Sequence, residues 1–213
     1  MDNYLYIANI KLLENNDVYN KAYQLISKDR KEKVDKLKFI NDKKLSILAE
    51  IILKKALKEL NLNNNIEYIY NEYKKPYLKN NVFFNISHSG EYVICVLSDN
   101  EVGCDIEYIR DIDLKIAKKY FNNDEYQSII NSNNKLDTFY RYWTLKESYI
   151  KLLGLGLNLE LDSFKIDISN KLNFTQNINN NLYYLKEVDI DGYKSSICLL
   201  NDKDLKINNV KNL

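Results

Sequence analysis

The chain has 213 residues, a formal net charge of +1, 45% hydrophobic and 29% charged residues, an ordinary balance for a globular protein with room for a sizeable core. Near-neutrality removes any global pull toward nucleic acid or a membrane surface, so basic chemistry has to be local. Cys95, Cys104 and Cys198 lie in apolar runs without C-x-x-C spacing, Met1 to Ile7 is no secretory signal, and no long apolar run occurs, so the expectation is a reducing, cytoplasmic setting without a membrane span.

Taken in order, Asn3 to Ile10 reads as a strand. Asp17 to Ile26 and Lys28 to Phe39 read as helices, the second carrying Lys28, Arg30, Lys31, Lys33, Lys36 and Lys38. That basic run is either a solvated face or an anion clamp, in which Arg30 and Lys33, three apart, converge on one phosphate. Asp42 to Leu60 is a core helix, with Leu45, Leu48, Ile52, Ala56 and Leu60 at helical spacing. Asn63 to Asn65 reads as a loop, Ile66 to Tyr70 as a strand, and Asn71 to Pro76 as a turn in which the chain's only proline fixes the backbone beside Lys75. Val82 to Ile86 and Tyr92 to Leu97 read as strands around a tight polar hairpin, Ser87-His88-Ser89-Gly90, and the second is apolar throughout, hence buried on both faces. His88, the only histidine, is either structural or a phosphate contact among small donors. A Ser-His hydrolase has no evident acidic partner and no G-x-S-x-G elbow here.

Val102 to Tyr108 is a strand in which Asp105 and Glu107 point the same way while Ile106 points into a core. Leu114 to Phe121 and Asp124 to Ile130 read as short helices, and Leu136 to Leu153 as a long one stopped by Gly154. On that helix Trp143, Glu147 and Lys151 form one stripe. Taken singly, the strand pair reads as a solvated face and Glu147 with Lys151 as a surface i,i+4 ion pair; if the stripe packs over the strand carboxylates, three carboxylates and an amine make a hard-cation site suited to Mg²⁺, with Mn²⁺ fitting the same ligands. Ser163 to Ile168, Leu182 to Val188 and Tyr193 to Leu200 read as strands, and the tail from Asn201 is polar and expected to add little. The plan repeats: a long helix, then about three strands, the last two a hairpin with Gly90 or Gly192. The fold class is therefore α+β, two similar halves related by pseudo-twofold symmetry, each a long helix on a small, mainly antiparallel sheet, with halves at 1–103 and 104–213.

Three blocks carry a family resemblance: Phe84-Asn85-Ile86-Ser87-His88-Ser89-Gly90, Gly103-Cys104-Asp105-Ile106-Glu107, and Trp143-Thr144-Leu145-Lys146-Glu147-Ser148 with Lys151. In order and spacing the chain resembles the surfactin-synthetase-type 4′-phosphopantetheinyl transferases of the holo-acyl carrier protein synthase superfamily. The resemblance implies transfer of the phosphopantetheine arm of coenzyme A to a serine of an apo acyl, peptidyl or polyketide carrier protein, releasing adenosine 3′,5′-bisphosphate. It implies Asp105, Glu107 and Glu147 as Mg²⁺ ligands, Glu147 as general base and Lys151 as a charge neutraliser. It further implies Ser87 and His88 on coenzyme A phosphates, Arg30, Lys33 and Lys75 on the 3′-phosphate and adenine side, Pro76 beside the adenine, and Glu125 as an acidic group approaching the metal. The first half would thus hold the nucleotide, the second the metal and the catalytic helix, and one chain would work as a monomer. Lys74 stands where the family has Gly, and a basic contact expected early in the Asp42 helix falls near Leu45, beside Lys43 and Lys44. Two other readings use the same residues: a non-catalytic coenzyme A or carrier-binding module, and a Mg²⁺-dependent phosphohydrolase with water as nucleophile.

Overall fold

The computed structural model describes residues 1–62, 66–79 and 82–213; the loop expected at Asn63 to Asn65 lies outside them. In chain order come β1 (Asn3–Asn9), α1 (Asn16–Leu25), α2 (Lys28–Lys36), α3 (Ile40–Glu59), β2 (Tyr68–Tyr70), β3 (Pro76–Leu78), β4 (Phe83–Ser89) and β5 (Tyr92–Ser98). There follow β6 (Val102–Tyr108), α4 (Lys115–Tyr120), α5 (Asn123–Asn131), α6 (Lys135–Leu153), β7 (Phe164–Asp167), β8 (Asn173–Gln176), β9 (Tyr184–Glu187), β10 (Tyr193–Leu199) and β11 (Leu205–Asn209). These elements form two compact units, one of residues 1–69, 76–99 and 203–213, the other of 70–75 and 100–202. Among the described residues no helix is long and apolar enough to cross a membrane.

The first unit sets α3 on a sheet of order β11-β1-β5-β4. Leu48, Ile52 and Ala56 of α3 are fully buried, as are Val93 to Leu97 of β5, so the apolar strand is covered on both faces as its composition requires. The polar tail does add a strand: β11 pairs in parallel with β1, Leu205 opposite Asn3 through Asn209 opposite Ile7. Only Leu205 and Ile207 are apolar there, and Ile207 is half exposed, so an edge strand carried by backbone bonds left little period to read. The hairpin is tighter than expected. Pairing of β4 with β5 continues to Ser89 opposite Tyr92, leaving Gly90 at φ +56° with Glu91 as a two-residue loop. Ser87 and His88 are therefore strand neighbours on opposite faces, the first buried and the second exposed.

The second unit packs α6 on an antiparallel sheet of order β6-β10-β9. Gly103 allows the contact: a Cβ at that position would stand 2.0 Å from the Ser148 carbonyl oxygen and 2.4 Å from the Leu152 nitrogen. Gly154, at φ +68°, closes α6 by donating its N–H to the Ile150 carbonyl at 2.9 Å. The short β7-β8 ribbon covers the aromatic Tyr149, whose ring lies 4.8 Å from Phe164 and 4.7 Å from Phe174. Each unit thus repeats the expected plan of one long helix on a small sheet. The expected cut between 103 and 104 lies inside β6, and the segments 70–75 and 203–213 are counted with the unit each one packs on.

Candidate active site

Because side chains alternate along a strand, Gly103, Asp105 and Glu107 share one face of β6, and Gly103 identifies it as the face that meets α6. Ile106, between the two carboxylates, is fully buried on the other side. From α6, Lys151 donates from Nζ to Asp105 Oδ1 at 2.5 Å. The structure thereby sets the Lys151 end of the helix stripe on the strand carboxylate Asp105. Asp105 is 3% exposed, while Glu107, Glu147 and Lys151 are half-buried. At the level of Asp105 the sheet and helix are tied by Thr144 and Ser196, whose hydroxyls lie 2.9 Å apart, Ser196 being the cross-strand partner of Asp105.

The electrostatics follow from that packing. Burial pushes the Glu147 carboxyl above the ordinary carboxylate range, the Asp105 and Glu107 charges push it further, and Lys151 opposes them. Burial pulls the Lys151 ammonium down, but Asp105 outweighs it with other neighbours, and the net direction is up. Among the described residues no three His, Cys, Asp or Glu side chains stand together as a ready-made metal cage. The donor set is instead a pair of strand carboxylates and one helix carboxylate that feel one another's charge, with one ammonium among them.

Glu147 also borders a groove of about 580 Å³. Trp143, Ile150, Ile116, Tyr120, Leu159 and Leu161 supply its apolar walls, and Lys119, Glu160 and Asp162 complete its lining. Phe121 and Phe139 hold Trp143 from behind, with ring centroids 6.2 and 5.7 Å away.

Glu125 has a different task from the one expected. It is 1% exposed; Oε1 accepts from the Ile166 N–H at 2.8 Å and pairs with Lys146 Nζ at 2.9 Å, and Oε2 accepts from the Asn122 N–H at 3.1 Å. Both oxygens are committed to joining α5, α6 and β7. Lys146, fully buried, also donates to the carbonyls of Leu161 and Phe164 at 2.7 and 3.0 Å. Burial holds its ammonium below the ordinary lysine range, with Glu125 partly offsetting it. Charge at Lys146 hid this role, although its place one helical turn from Tyr142 and Tyr149 puts it on the buried face.

In the first unit, Arg30 Nε lies 3.4 Å from Glu50 Oε2. Glu50, fully buried in α3, also accepts from the Ser27 N–H and hydroxyl at 2.7 and 2.9 Å and pairs with Lys54 at 3.0 Å. A core-helix glutamate thus anchors the start of α2 and holds the guanidinium, which spacing alone did not reveal. Lys33 is exposed on the same helix. Pro76 opens β3, half-buried. Lys75 belongs to the second unit and is buried, with Nζ donating to Glu101 Oε2 at 2.6 Å and to the Leu152 carbonyl at 2.7 Å.

Comparison with known proteins gives a consistent picture. Residues 101–198 match the 4′-phosphopantetheinyl transferase superfamily, and residues 14–100 match a family described as 4′-phosphopantetheinyl transferase, N-terminal. The chain is 36% identical over 189 residues to the 4′-phosphopantetheinyl transferase gsp of Aneurinibacillus migulanus, covering 86% of this chain and 80% of that one. It is 32% identical over 182 residues to the 4′-phosphopantetheinyl transferase Sfp of Bacillus subtilis, covering 81% of each. It is 30% identical over 188 residues to ffp of Bacillus subtilis, another 4′-phosphopantetheinyl transferase, covering 84% of each.

Proposed function

The chain belongs to the 4′-phosphopantetheinyl transferase superfamily, and from that membership we propose its reaction and the part each residue plays. It transfers the phosphopantetheine arm of coenzyme A to a serine hydroxyl of an apo carrier protein. The serine oxygen bonds to the β-phosphorus, the bond from that phosphorus to the bridging oxygen breaks, and adenosine 3′,5′-bisphosphate departs with the electron pair. The serine proton passes to a base. Charge builds on phosphate oxygens throughout, so positioning and electrostatics supply most of the acceleration.

The observation that carries this reading is the Lys151 to Asp105 contact, which ties the helix bearing Glu147 to the strand bearing Asp105 and Glu107. Three carboxylates and one ammonium repel a pyrophosphate unless a cation intervenes. Mg²⁺ suits such a set because it keeps several waters and shares its shell with substrate phosphates instead of requiring an all-protein cage. Asp105, Glu107 and Glu147 would hold it, and Mn²⁺ would fit the same oxygens. When bound, it supplies Lewis-acid stabilisation of the phosphate oxygens.

Glu147 is the proposed base, because of the three carboxylates it alone lines the groove, where an incoming hydroxyl has access. The groove's apolar walls fit the uncharged pantetheine arm and not the pyrophosphate. Lys151 neutralises charge on the pyrophosphate or on the departing bisphosphate. In the first unit Arg30, preset by Glu50, and exposed Lys33 are proposed for the nucleotide phosphates, with Ser87 and His88 on the pyrophosphate and Pro76 on the adenine side. Lys75 enters differently, through its hold on α6. Both family patterns lie in one chain, which supports action as a monomer, and three buried cysteines outside any disulfide accord with a reducing cytoplasm.

Intact-protein mass spectrometry of several apo carriers, incubated with coenzyme A and Mg²⁺, tests the proposal. One added phosphopantetheine mass, lost with EDTA and with Glu147→Gln, is the expected result. Tight binding of coenzyme A without transfer to any carrier sinks it in favour of a binding module, and carrier-independent consumption of coenzyme A in favour of a hydrolase.

A further inference from the structure

The turn at residues 71–75 is built around Asn71. Its Oδ1 accepts the N–H groups of Tyr73 and Lys75 at 3.0 and 2.8 Å, its own N–H donates to the Lys75 carbonyl at 3.1 Å, and its carbonyl accepts from the Lys74 N–H at 3.0 Å. Two side chains leave this turn for the end of α6. Asn71 Nδ2 donates to the Gly154 carbonyl at 3.0 Å, and Lys75 Nζ donates to the Leu152 carbonyl at 2.7 Å and to Glu101 at 2.6 Å.

The last four carbonyls of a helix have no donor within it. Gly154 satisfies Ile150 from inside the chain's own path, whereas Leu152 is served by a lysine 77 positions away in sequence. An ammonium there also complements the negative end of the helix dipole. Leu152 is adjacent to Lys151, and its backbone is what Gly103 packs against, two residues before Asp105. The carbonyl that Lys75 holds therefore belongs to the turn of α6 that rests on β6 beside the carboxylates.

We propose that Lys75, supported by Asn71 and Glu101, is a positioning residue for the transfer reaction: it closes the C-terminal turn of α6 and so sets Glu147 and Lys151 over Asp105 and Glu107. It does not act as a grip on a phosphate of the substrate. Two of its three N–H donors are already given to protein oxygens in a buried setting. The inference rests on the transferase reading, and small misplacements of catalytic groups are costly enough for such a role to be visible.

The test uses Lys75→Met, Lys75→Arg, Asn71→Ala and Glu101→Gln, with kcat and KM measured for coenzyme A and for 3′-dephospho-coenzyme A on one apo carrier. Lys75→Met is expected to lower kcat by about tenfold or more, to move KM for coenzyme A little, and to leave the preference between the two substrates unchanged. Lys75→Arg, which keeps a donor, recovers part of kcat, and Asn71→Ala and Glu101→Gln lower it in the same direction. If Lys75→Met instead raises KM at unchanged kcat and abolishes the preference for the 3′-phosphate, Lys75 grips that phosphate and the inference is overturned. Should Lys75→Met not fold, Glu101→Gln decides: a fall in kcat supports positioning, and a fall in KM from a released ammonium overturns it. Amide hydrogen exchange over residues 150–154 is the readout that needs no activity. Faster exchange there in Asn71→Ala and Glu101→Gln supports the latch, and unchanged exchange overturns it, even if the wild type transfers to no carrier and the transferase reading itself fails.

Discussion

Gly103 of β6 lies against Ser148 of α6 so closely that a Cβ would stand 2.0 Å from the Ser148 carbonyl oxygen. Both sides of this contact are backbone, so no rotamer change can relieve an added methyl. Gly103→Ala has to lift α6 from β6 at the level of Asp105. The expected cost is about 3 kcal/mol, the upper part of the usual range for overpacking, read by urea denaturation. Transfer activity at a temperature where the variant is still folded should fall as well, because the same displacement draws Lys151 and Glu147 away from the strand carboxylates.

The site itself should cost the protein stability. Burial and the Asp105 and Glu107 charges raise the Glu147 carboxyl, so the folded metal-free chain binds that proton more tightly than the unfolded chain. Stability from this group is then present at low pH and lost as pH rises through the raised value. Glu147→Gln is expected to raise Tm at pH 7 in EDTA, with the gap from wild type closing on acidification toward the ordinary carboxylate range. The same substitution should lower transfer by about a hundredfold or more. Adding Mg²⁺ should raise the wild-type Tm and not that of the variant. A variant less stable than wild type in EDTA at neutral pH contradicts the account.

The parts of the fold that sequence makes legible are those where burial and period agree. The α3 pattern of Leu45, Leu48, Ile52 and Ala56 and the unbroken apolar run of β5 each identify an element whose face or faces are covered. The carboxylate pair of β6 and the stripe of α6 are legible for the same geometric reason, spacings of two and four. What spacing cannot show is who meets whom across long separations. Lys75 reaching the Leu152 carbonyl, Glu50 holding Arg30 and Glu125 pairing with Lys146 all join charged groups that a local reading assigns to solvent or ligand. The strands β8 and β11 escape because backbone pairing carries them, with few apolar residues to mark them, and β3 because its three residues are too few to show a period.

Lys74 has φ +66°, the left-handed region where an L side chain costs about 1–2 kcal/mol. Glycine relieves that strain but loses more entropy on folding, by about 0.5–1 kcal/mol. Lys74→Gly is therefore expected to stabilise by about 0.5 kcal/mol, and Lys74→Val, branched at Cβ, to destabilise by more than that. Denaturant midpoints of the two variants should move in opposite directions.

Lys146 and Glu125 form an ion pair with both side chains fully buried, 2.9 Å apart. Removing one partner leaves the other charged in the core. In Lys146→Met, Glu125 keeps only its two backbone donors, Ile166 and Asn122, and the Leu161 and Phe164 carbonyls lose the ammonium. A loss of about 3–5 kcal/mol is expected, as for other broken buried pairs. Glu125→Gln keeps the shape and an acceptor but strands the ammonium, and should also destabilise strongly. The double variant Glu125→Gln with Lys146→Met removes both charges, so its loss should be clearly smaller than the sum of the two single losses. Additive losses in this cycle would mean that the pair is not coupled as its geometry requires. None of these variants touches Asp105, Glu107 or Glu147, so a Glu125→Gln protein that still folds should retain Mg²⁺-dependent transfer. Loss of the Mg²⁺ response in that folded variant would instead place Glu125 with the metal carboxylates.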